Sequence, residues 1–261
     1  MQHASDAFVA DWKRDIVAKA LSARGLTPEF RDVVTSPAQS RRRAKLSGRR
    51  TKKGAMVGFH AKGSDTLVAV PDCKLLEPAL LASFPALEAL TVLACSRKGE
   101  IDLTVTDAPL GPDILVTTEK ELTSQLRVEL AALANQHGLS RLVWNDEQVV
   151  TINPPAQDFG GTGVVPPPGA FLQATRHGEL ALLQAVTEIT AKASRIVDLF
   201  AGCGTFTLPL AKRAQELRDA LAWGAHIVTA REIHHKGVVE VLRHIPEECD
   251  CVISFDCDAL D

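Results

Sequence analysis

The sequence predicts an α/β protein in which an α+β part is followed by the beginning of a second, parallel sheet. Three observations lead to this prediction. Short apolar segments between residues 41 and 117 alternate with glycines, which is typical of strands joined by turns. Segment 160–169 is rich in proline and glycine, so we expect it to be non-helical and to separate two parts of the chain. Beyond it, helical and strand patterns alternate, as they do in parallel sheets.

The first predicted element is a helix near the start of the chain. Ser5 and Asp6 are residue types that cap helix N-termini, and Gly25 stands where a left-handed C-terminal cap would end the helix. One apolar face is formed by Phe8, Val9, Trp12, Ile16, Val17, Ala20 and Leu21. Their spacing of three and four residues is that of an amphipathic helix.

Strands and helices then follow one another up to the proline-rich segment. Strands are predicted at 42–46, 56–60, 66–70, 101–106 and 112–116, with early turns at Gly48, Gly54 and Gly63. Helices are predicted at 78–94 and 120–137. We expect this first part, residues 1–160, to hold a mostly antiparallel sheet. The second part is predicted to begin with a helix at 175–192, a strand at 195–199 and a glycine turn.

The charge distribution points to an anionic partner for one part of the chain only. The 261 residues carry 29 Lys or Arg and 32 Asp or Glu, so the net charge of -3 argues against a dedicated nucleic-acid binder. Residues 1–60, however, hold 13 basic residues against 5 acidic ones. The sequence shows no signal peptide and no apolar run near the ~20 residues that span a bilayer. We therefore expect a cytoplasmic protein with reduced cysteines and no membrane partner; the sequence indicates no oligomeric state.

A glycine turn at 202–204 predicts a cofactor site. The sequence IVDLFAGCGTFTLPLA at 196–211 has the order apolar strand, acidic residue, Gly-x-Gly and helix. Gly202 and Gly204 allow a sharp turn and leave room for a ligand against the backbone. A nucleotide-like cofactor binds at the carboxyl end of a strand in this arrangement. Thr207 stands where a dinucleotide fingerprint has its third glycine, and no phosphate-binding Gly-Lys-Ser/Thr follows.

Two strings at a fixed separation resemble one enzyme family. PPPGAFLQ at 166–173 and VDLFAGCGTFTLPLA at 197–211 resemble the S-adenosylmethionine-dependent RNA uracil-C5 methyltransferases. The strings MQHASDAF, SRRRAKLSGRRTKKG and PDCKLLEPAL extend the resemblance over residues 1–212. It implies a central RNA-binding domain at 1–160 and the start of a Rossmann-like, S-adenosylmethionine-binding domain at 161–212. The implied reaction is methyl transfer from S-adenosylmethionine to uridine C5 in ribosomal or transfer RNA.

The resemblance also assigns residues to cofactor and RNA. The implied cofactor-binding residues are Gln173, Asp198, Phe200, Gly202, Gly204 and Thr205. For Phe200 the alternative is an aromatic side chain of the core. The eight cations within thirteen residues, Arg41, Arg42, Arg43, Lys45, Arg49, Arg50, Lys52 and Lys53, are expected to contact RNA phosphates. The alternative for this basic segment is a solvated hairpin.

Two features of the family have no full counterpart. Many members carry an iron–sulfur cluster held by three cysteines before the MQH string and a fourth at the position of Cys73. Because a cluster needs about four thiolates, we expect Cys73 to be a free thiol and expect no cluster. The family's catalytic cysteine and general base match no residue here, so we name no catalytic residue and expect the chain to be inactive or nearly so.

The last segment resembles a different family. Residues 213–261, and SFDCDALD at 254–261 above all, resemble the agmatinase and arginase ureohydrolases. In that family the aspartates matching Asp256 and Asp258 bind Mn²⁺, which prefers oxygen ligands. The histidine ligands have no match, so the implied manganese site is incomplete. The sequence thus predicts a methyltransferase-like chain impaired by truncation or fusion. The alternatives are a ureohydrolase fragment or a non-catalytic RNA-binding remnant.

Overall fold

The computed structural model describes residues 4–96, 99–193, 196, 198 and 201–213. The chain divides into two compact units between Pro37 and Ala38. In the first unit, α1 spans Asp6–Ser22, and the Ser5 hydroxyl accepts a hydrogen bond from the Phe8 N–H at 3.3 Å. Gly25 has φ +74°, as predicted for the end of this helix.

The second unit contains a seven-stranded sheet. Its strands are β1 (Arg43–Arg50), β2 (Ala55–His60), β3 (Leu67–Ala69), β4 (Glu100–Thr106), β5 (Asp113–Thr117), β6 (Arg141–Trp144) and β7 (Glu147–Thr151). They lie in the order β3-β2-β1-β4-β5-β6-β7. Neighbouring strands are antiparallel except β5 and β6, which are parallel and are joined by a helix. The mostly antiparallel sheet of the prediction is confirmed.

Three helices belong to this sheet: α2 (Pro78–Ala82), α3 (Phe84–Ala94) and α4 (Ser124–Gln136). The single helix predicted at 78–94 is interrupted at Ser83, whose hydroxyl donates to the Leu80 carbonyl at 2.7 Å. Alternate residues of the strands join these helices in one core, which includes Leu46, Leu87, Leu90, Leu103, Ile114, Val116, Leu130, Leu142 and Trp144. One face of the sheet is therefore buried and apolar, while the other carries polar side chains.

Gly48 lies inside a strand rather than in the predicted turn. It pairs with Val57 of β2 and Ile101 of β4 in the middle of the sheet. A Cβ atom at this position would lie 2.3 Å from Oγ1 of Thr91, on α3. Gly48 is therefore required by the close approach of α3 to β1, because a strand glycine can serve packing as well as turning.

The remaining described elements lead to the predicted cofactor site. Strands β8 (Gln157–Asp158) and β9 (Gly163–Val164) form a short hairpin, and the proline-rich segment has no helix, as predicted. Helix α5 (Arg176–Ile189) is capped by Thr175, whose hydroxyl accepts a hydrogen bond from the Gly178 N–H at 2.9 Å. The glycine turn leads into α6 (Thr207–Arg213). The predicted domain limits at 160 and 212 stay predictions. No helix in the described ranges is long and apolar enough to cross a membrane.

Candidate cofactor site and basic strand

The glycine turn at 201–206 has the backbone conformation that its sequence predicts. Gly202 and Gly204 have φ angles of +56° and +83°, a backbone conformation that residues other than glycine rarely adopt. The Gly204 N–H donates to the Ala201 carbonyl at 2.8 Å, and the Gly204 carbonyl accepts from the Leu208 N–H at 3.0 Å. A Cβ atom at Gly204 would approach Leu208 Cγ to 3.0 Å. Conformation and space therefore both favour glycine at 204.

Asp198 is a buried acid joined to this turn. Its side chain accepts a hydrogen bond of 2.6 Å from the Thr207 hydroxyl, and only 9% of the residue is exposed. Burial raises the pKa of Asp198, and hydrogen bonds from the hydroxyl and N–H of Thr207 oppose that effect. Its second carboxyl oxygen, Oδ1, is buried without a partner among the described residues. Buried polar atoms are nearly always hydrogen-bonded, so this oxygen fits a site that is completed by a ligand donor.

Gln173 lies on a separate segment that is bound to the residues before β1. The Arg42 N–H donates to the Ala174 carbonyl at 2.9 Å, and Arg42 Nε donates to the Gln173 carbonyl at 3.1 Å. Gln173 itself is half-buried. Among the described residues, no hydrogen bond joins Gln173 to the glycine turn. The structure thus places Asp198, Gly202, Gly204 and Thr205 in the glycine turn or directly beside it. Gln173 lies on a different segment, where Arg42 binds its carbonyl.

Arginines hold the rest of the PPPGAFLQ segment. Arg43 donates to the Gly169 carbonyl at 3.0 Å. Arg141 donates to the Pro166 carbonyl at 2.9 Å and makes a two-pronged contact with Asp113 at 2.8 and 2.7 Å. Arg141 and Asp113 are both buried. Sequence reasoning missed this pair, although a charged residue at the start of each of two neighbouring parallel strands was a usable signal.

The basic segment is largely engaged within the protein. Arg42, predicted to contact RNA, is 1% exposed and forms a buried ion pair with Glu179 of α5, so its guanidinium is not on the surface and that prediction is wrong for Arg42. Arg49 pairs with Glu100, and Lys45 lies 3.0 Å from Asp102. Arg50 donates to the Cys95 carbonyl at 3.3 Å, and Arg41 donates to the Arg43 carbonyl at 3.1 Å.

Lys52 and Lys53 differ from the rest of the segment. They are exposed in the turn between β1 and β2, and their ammonium groups have no acidic partner among the described residues. The side chains of the other six cations contact carboxylates or carbonyl oxygens. Lys52 and Lys53 are therefore the strongest candidates for phosphate contacts, because they need break no existing contact within the described part of the chain to bind phosphate.

The described cysteines are free thiols. Cys73 is half-buried, packs against the core and accepts a hydrogen bond from the Leu75 N–H at 3.5 Å. Burial raises the pKa of Cys95 and of Cys203, so both thiols stay protonated near neutral pH and are weak nucleophiles.

Within the described ranges no three His, Cys, Asp or Glu side chains gather as a metal site. Phe200 and residues 214–261, which include Asp256 and Asp258, lie outside the described residues.

Comparison with known proteins identifies relatives in sequence. No protein-family model matches the chain. An uncharacterized RNA methyltransferase of Rhizobium meliloti (strain 1021) is 36% identical over 215 residues, which cover 82% of this chain and 52% of that protein. An uncharacterized RNA methyltransferase of Zymomonas mobilis is 28% identical over 282 residues, which cover 100% of this chain and 68% of that protein.

A third relative has a defined activity: a 23S rRNA (uracil(1939)-C(5))-methyltransferase of Shewanella halifaxensis is 28% identical over 194 residues. That match covers 68% of this chain and 42% of the relative. The chain spans about half the length of the Rhizobium relative. None of these three proteins is a ureohydrolase, and the Zymomonas match includes residues 213–261.

A solved structure shares the fold. The crystal structure of Pyrococcus abyssi tRNA (uracil-54, C5)-methyltransferase in complex with S-adenosyl-L-homocysteine matches with a TM-score of 0.60 at 14% identity. The match covers 97% of this chain and 63% of that one. The chain is therefore related in sequence to RNA methyltransferases, one of them a uracil-C5 methyltransferase, and shares the fold of a second uracil-C5 methyltransferase.

Proposed function

We propose that this chain is part of an RNA uracil-C5 methyltransferase that binds S-adenosylmethionine and acts on ribosomal or transfer RNA. The observation that carries the proposal is the glycine turn flanked by Asp198, whose buried Oδ1 has no partner among the described residues, in a chain related to RNA methyltransferases. The cofactor would supply an electrophilic methyl group on its sulfonium. Gly202 and Gly204 would let it approach the backbone, and Gln173 would hydrogen-bond it.

Asp198 has the clearest role in this proposal. A ligand hydroxyl or amine near Oδ1 would satisfy a buried oxygen whose isolation is costly, so the acid favours a bound donor. Asp198→Ala removes the acceptor and should weaken S-adenosylmethionine binding by about tenfold or more, since hydrogen bonds to charged groups contribute roughly 1.5–3 kcal/mol. Calorimetric titration with S-adenosylmethionine measures this. Equal affinity of the wild type and Asp198→Ala contradicts the assignment of Asp198.

RNA binding is proposed for the turn between β1 and β2. Exposed lysines bind phosphate with an affinity that falls steeply with salt. Replacing Lys52 and Lys53 by glutamate should weaken RNA binding and reduce the slope of log K against log salt by roughly 1.4–1.8. Lys62→Glu is the matched control because Lys62 is exposed in the turn between β2 and β3, at the opposite end of the sheet. If both variants change RNA binding equally, the lysines of the β1–β2 turn have no special role.

Methyl transfer to uridine C5 also requires a nucleophile that attacks uracil C6. The described cysteines with raised pKa values, Cys95 and Cys203, are poor candidates for attack on uracil C6. The family's catalytic cysteine and general base also have no match in the sequence, so we expect the chain to bind cofactor and RNA without catalysing methyl transfer. An assay with radiolabelled S-adenosylmethionine and unmodified ribosomal RNA tests this, and several turnovers per chain would contradict it. The cytoplasmic location and the incomplete manganese site at Asp256 and Asp258 stay predictions.

A further inference from the structure

Arg42 is a buried arginine whose guanidinium has two partners in the methyltransferase-like part of the chain. Its guanidinium forms an ion pair with Glu179 on α5 and donates from Nε to the Gln173 carbonyl at 3.1 Å. Its own N–H donates to the Ala174 carbonyl at 2.9 Å, and its carbonyl accepts from the Asp107 N–H at 2.8 Å. Arg42 therefore connects the end of β4, the Gln173 segment and α5.

Packing of the core alone does not explain the buried ion pair between Arg42 and Glu179. Burying two opposite charges gains little stability over an apolar pair of similar size, because both charges lose their water. An apolar side chain at position 42, however, could not donate to the Gln173 carbonyl. The planar guanidinium suits the position because it can bind a carboxylate with one nitrogen and donate from Nε at the same time.

The neighbouring arginines act on the same segment. Arg43 donates to the Gly169 carbonyl and Arg141 donates to the Pro166 carbonyl. Three arginine side chains thus bind three carbonyls between residues 166 and 173, although this segment has neither helix nor strand that would satisfy those carbonyls. Of the three, Arg42 binds the residue that the family resemblance assigns to the cofactor.

We propose that Arg42 is a positioning residue for Gln173 in cofactor binding, with Glu179 holding its guanidinium in place. This inference rests on the proposed S-adenosylmethionine site. By binding the carbonyl of Gln173 and, through its backbone, that of Ala174, Arg42 fixes the peptide from which the Gln173 amide extends. A ligand that meets a backbone already fixed in its bound conformation loses less affinity to ordering, which is the advantage of a preorganised site.

The central variant of the test is Arg42→Lys. Lysine keeps a positive charge for Glu179 but has no counterpart of the Nε donor. We expect Arg42→Lys to stay folded and to bind S-adenosylmethionine about tenfold more weakly in calorimetric titration, which corresponds to ~1.4 kcal/mol. Arg127→Lys is the matched control, since Arg127 forms an exposed ion pair with Glu147 at 2.8 Å. It should bind the cofactor as the wild type does.

A double-mutant cycle separates positioning from a general loss of structure. Gln173→Ala should also weaken binding, and Arg42→Lys added to Gln173→Ala should weaken it no further, because the two residues act through one contact. If Arg42→Lys fails to fold, replacing both Arg42 and Glu179 by methionine removes the charges together. The same weak binding, which Gln173→Ala weakens no further, is expected of that pair.

The outcomes separate this inference from the proposed function. If the wild type binds S-adenosylmethionine and the folded Arg42→Lys variant, or the methionine pair in its place, binds equally well, the positioning role is overturned while the proposed function stands. Independent, additive losses in the cycle overturn it too. If the wild type itself binds no S-adenosylmethionine, the proposed site and the inference that rests on it are both overturned.

Discussion

Gly48→Ala tests the packing that supports the central strand. The added Cβ would lie 2.3 Å from Thr91 Oγ1, 3.0 Å from Thr91 Cγ2 and 3.2 Å from Ile101 Cγ1. Thr91 has little room to move, because it is fully buried and its hydroxyl donates to the Leu87 carbonyl at 2.7 Å. Relief requires either that α3 shift away from β1 or that Thr91 give up this bond.

Both routes destabilise the protein. Overpacking a core costs roughly 1–3 kcal/mol, and a buried polar group that loses its partner costs about 1–3 kcal/mol. Replacing a strand glycine by alanine also stabilises the protein by at most about 1 kcal/mol, because alanine gives the unfolded chain less conformational freedom than glycine does. We therefore expect Gly48→Ala to lower the free energy of unfolding by about 1–2 kcal/mol. Urea unfolding followed by circular dichroism measures the change as a lower midpoint at an unchanged slope.

Two further variants show whether the clash is the cause. Gly163→Ala is the control, since a Cβ at Gly163 would meet no heavy atom of the described residues within 4 Å, and it should change stability little. Adding Thr91→Ala to Gly48→Ala removes both close threonine atoms and should recover part of the loss. Stability of Gly48→Ala equal to that of the wild type, or no recovery in the double variant, would refute the packing argument.

Two other variants test charges around the site. Arg141→Met leaves Asp113 buried without its partner and should lower the free energy of unfolding by about 3–5 kcal/mol, measured in urea. Arg127→Met is the control, because Arg127 forms an exposed ion pair. An equal loss of stability in the two variants would contradict the importance of the buried Arg141–Asp113 pair. Asp198→Asn tests the raised pKa of Asp198. Because the folded state holds this proton more tightly, the stabilising effect of Asp198 is complete below its ordinary value of 3.8 and is lost as pH rises through the raised pKa. The stability of Asp198→Asn relative to the wild type should therefore rise with pH over that range, and a pH-independent difference would count against a buried acid.

Local patterns in the sequence predicted much of the fold. Ser5 caps the start of α1 as expected, and Gly25 has the expected left-handed conformation just after the C-cap residue Ala23. Such features depend on residues within about one turn of the helix end. The glycine turn at 202–204 was also predicted, because its conformation follows from residues that are adjacent in the chain. Such local sequence patterns can be recognised without knowing which residues far apart in the chain are in contact.

Contacts between distant residues explain the errors. Gly48 was assigned to a turn because a glycine needed for a turn and a glycine needed for a close helix look alike in sequence. Arg42 was grouped with its exposed neighbours, although its partner Glu179 lies 137 residues further along the chain. The Arg141–Asp113 pair was missed for the same reason, since the parallel register of β5 and β6 brings the two together.

Amide hydrogen exchange with and without S-adenosylmethionine shows whether the glycine turn binds this cofactor, because a bound ligand slows the opening of the backbone it contacts. We expect saturable protection in two segments, 198–208 and 166–174, with helix α4 unchanged as an internal reference. Saturating S-adenosylmethionine that leaves both segments unprotected, or that protects α4 instead, would contradict the claim that this chain holds a methyltransferase cofactor at its glycine turn.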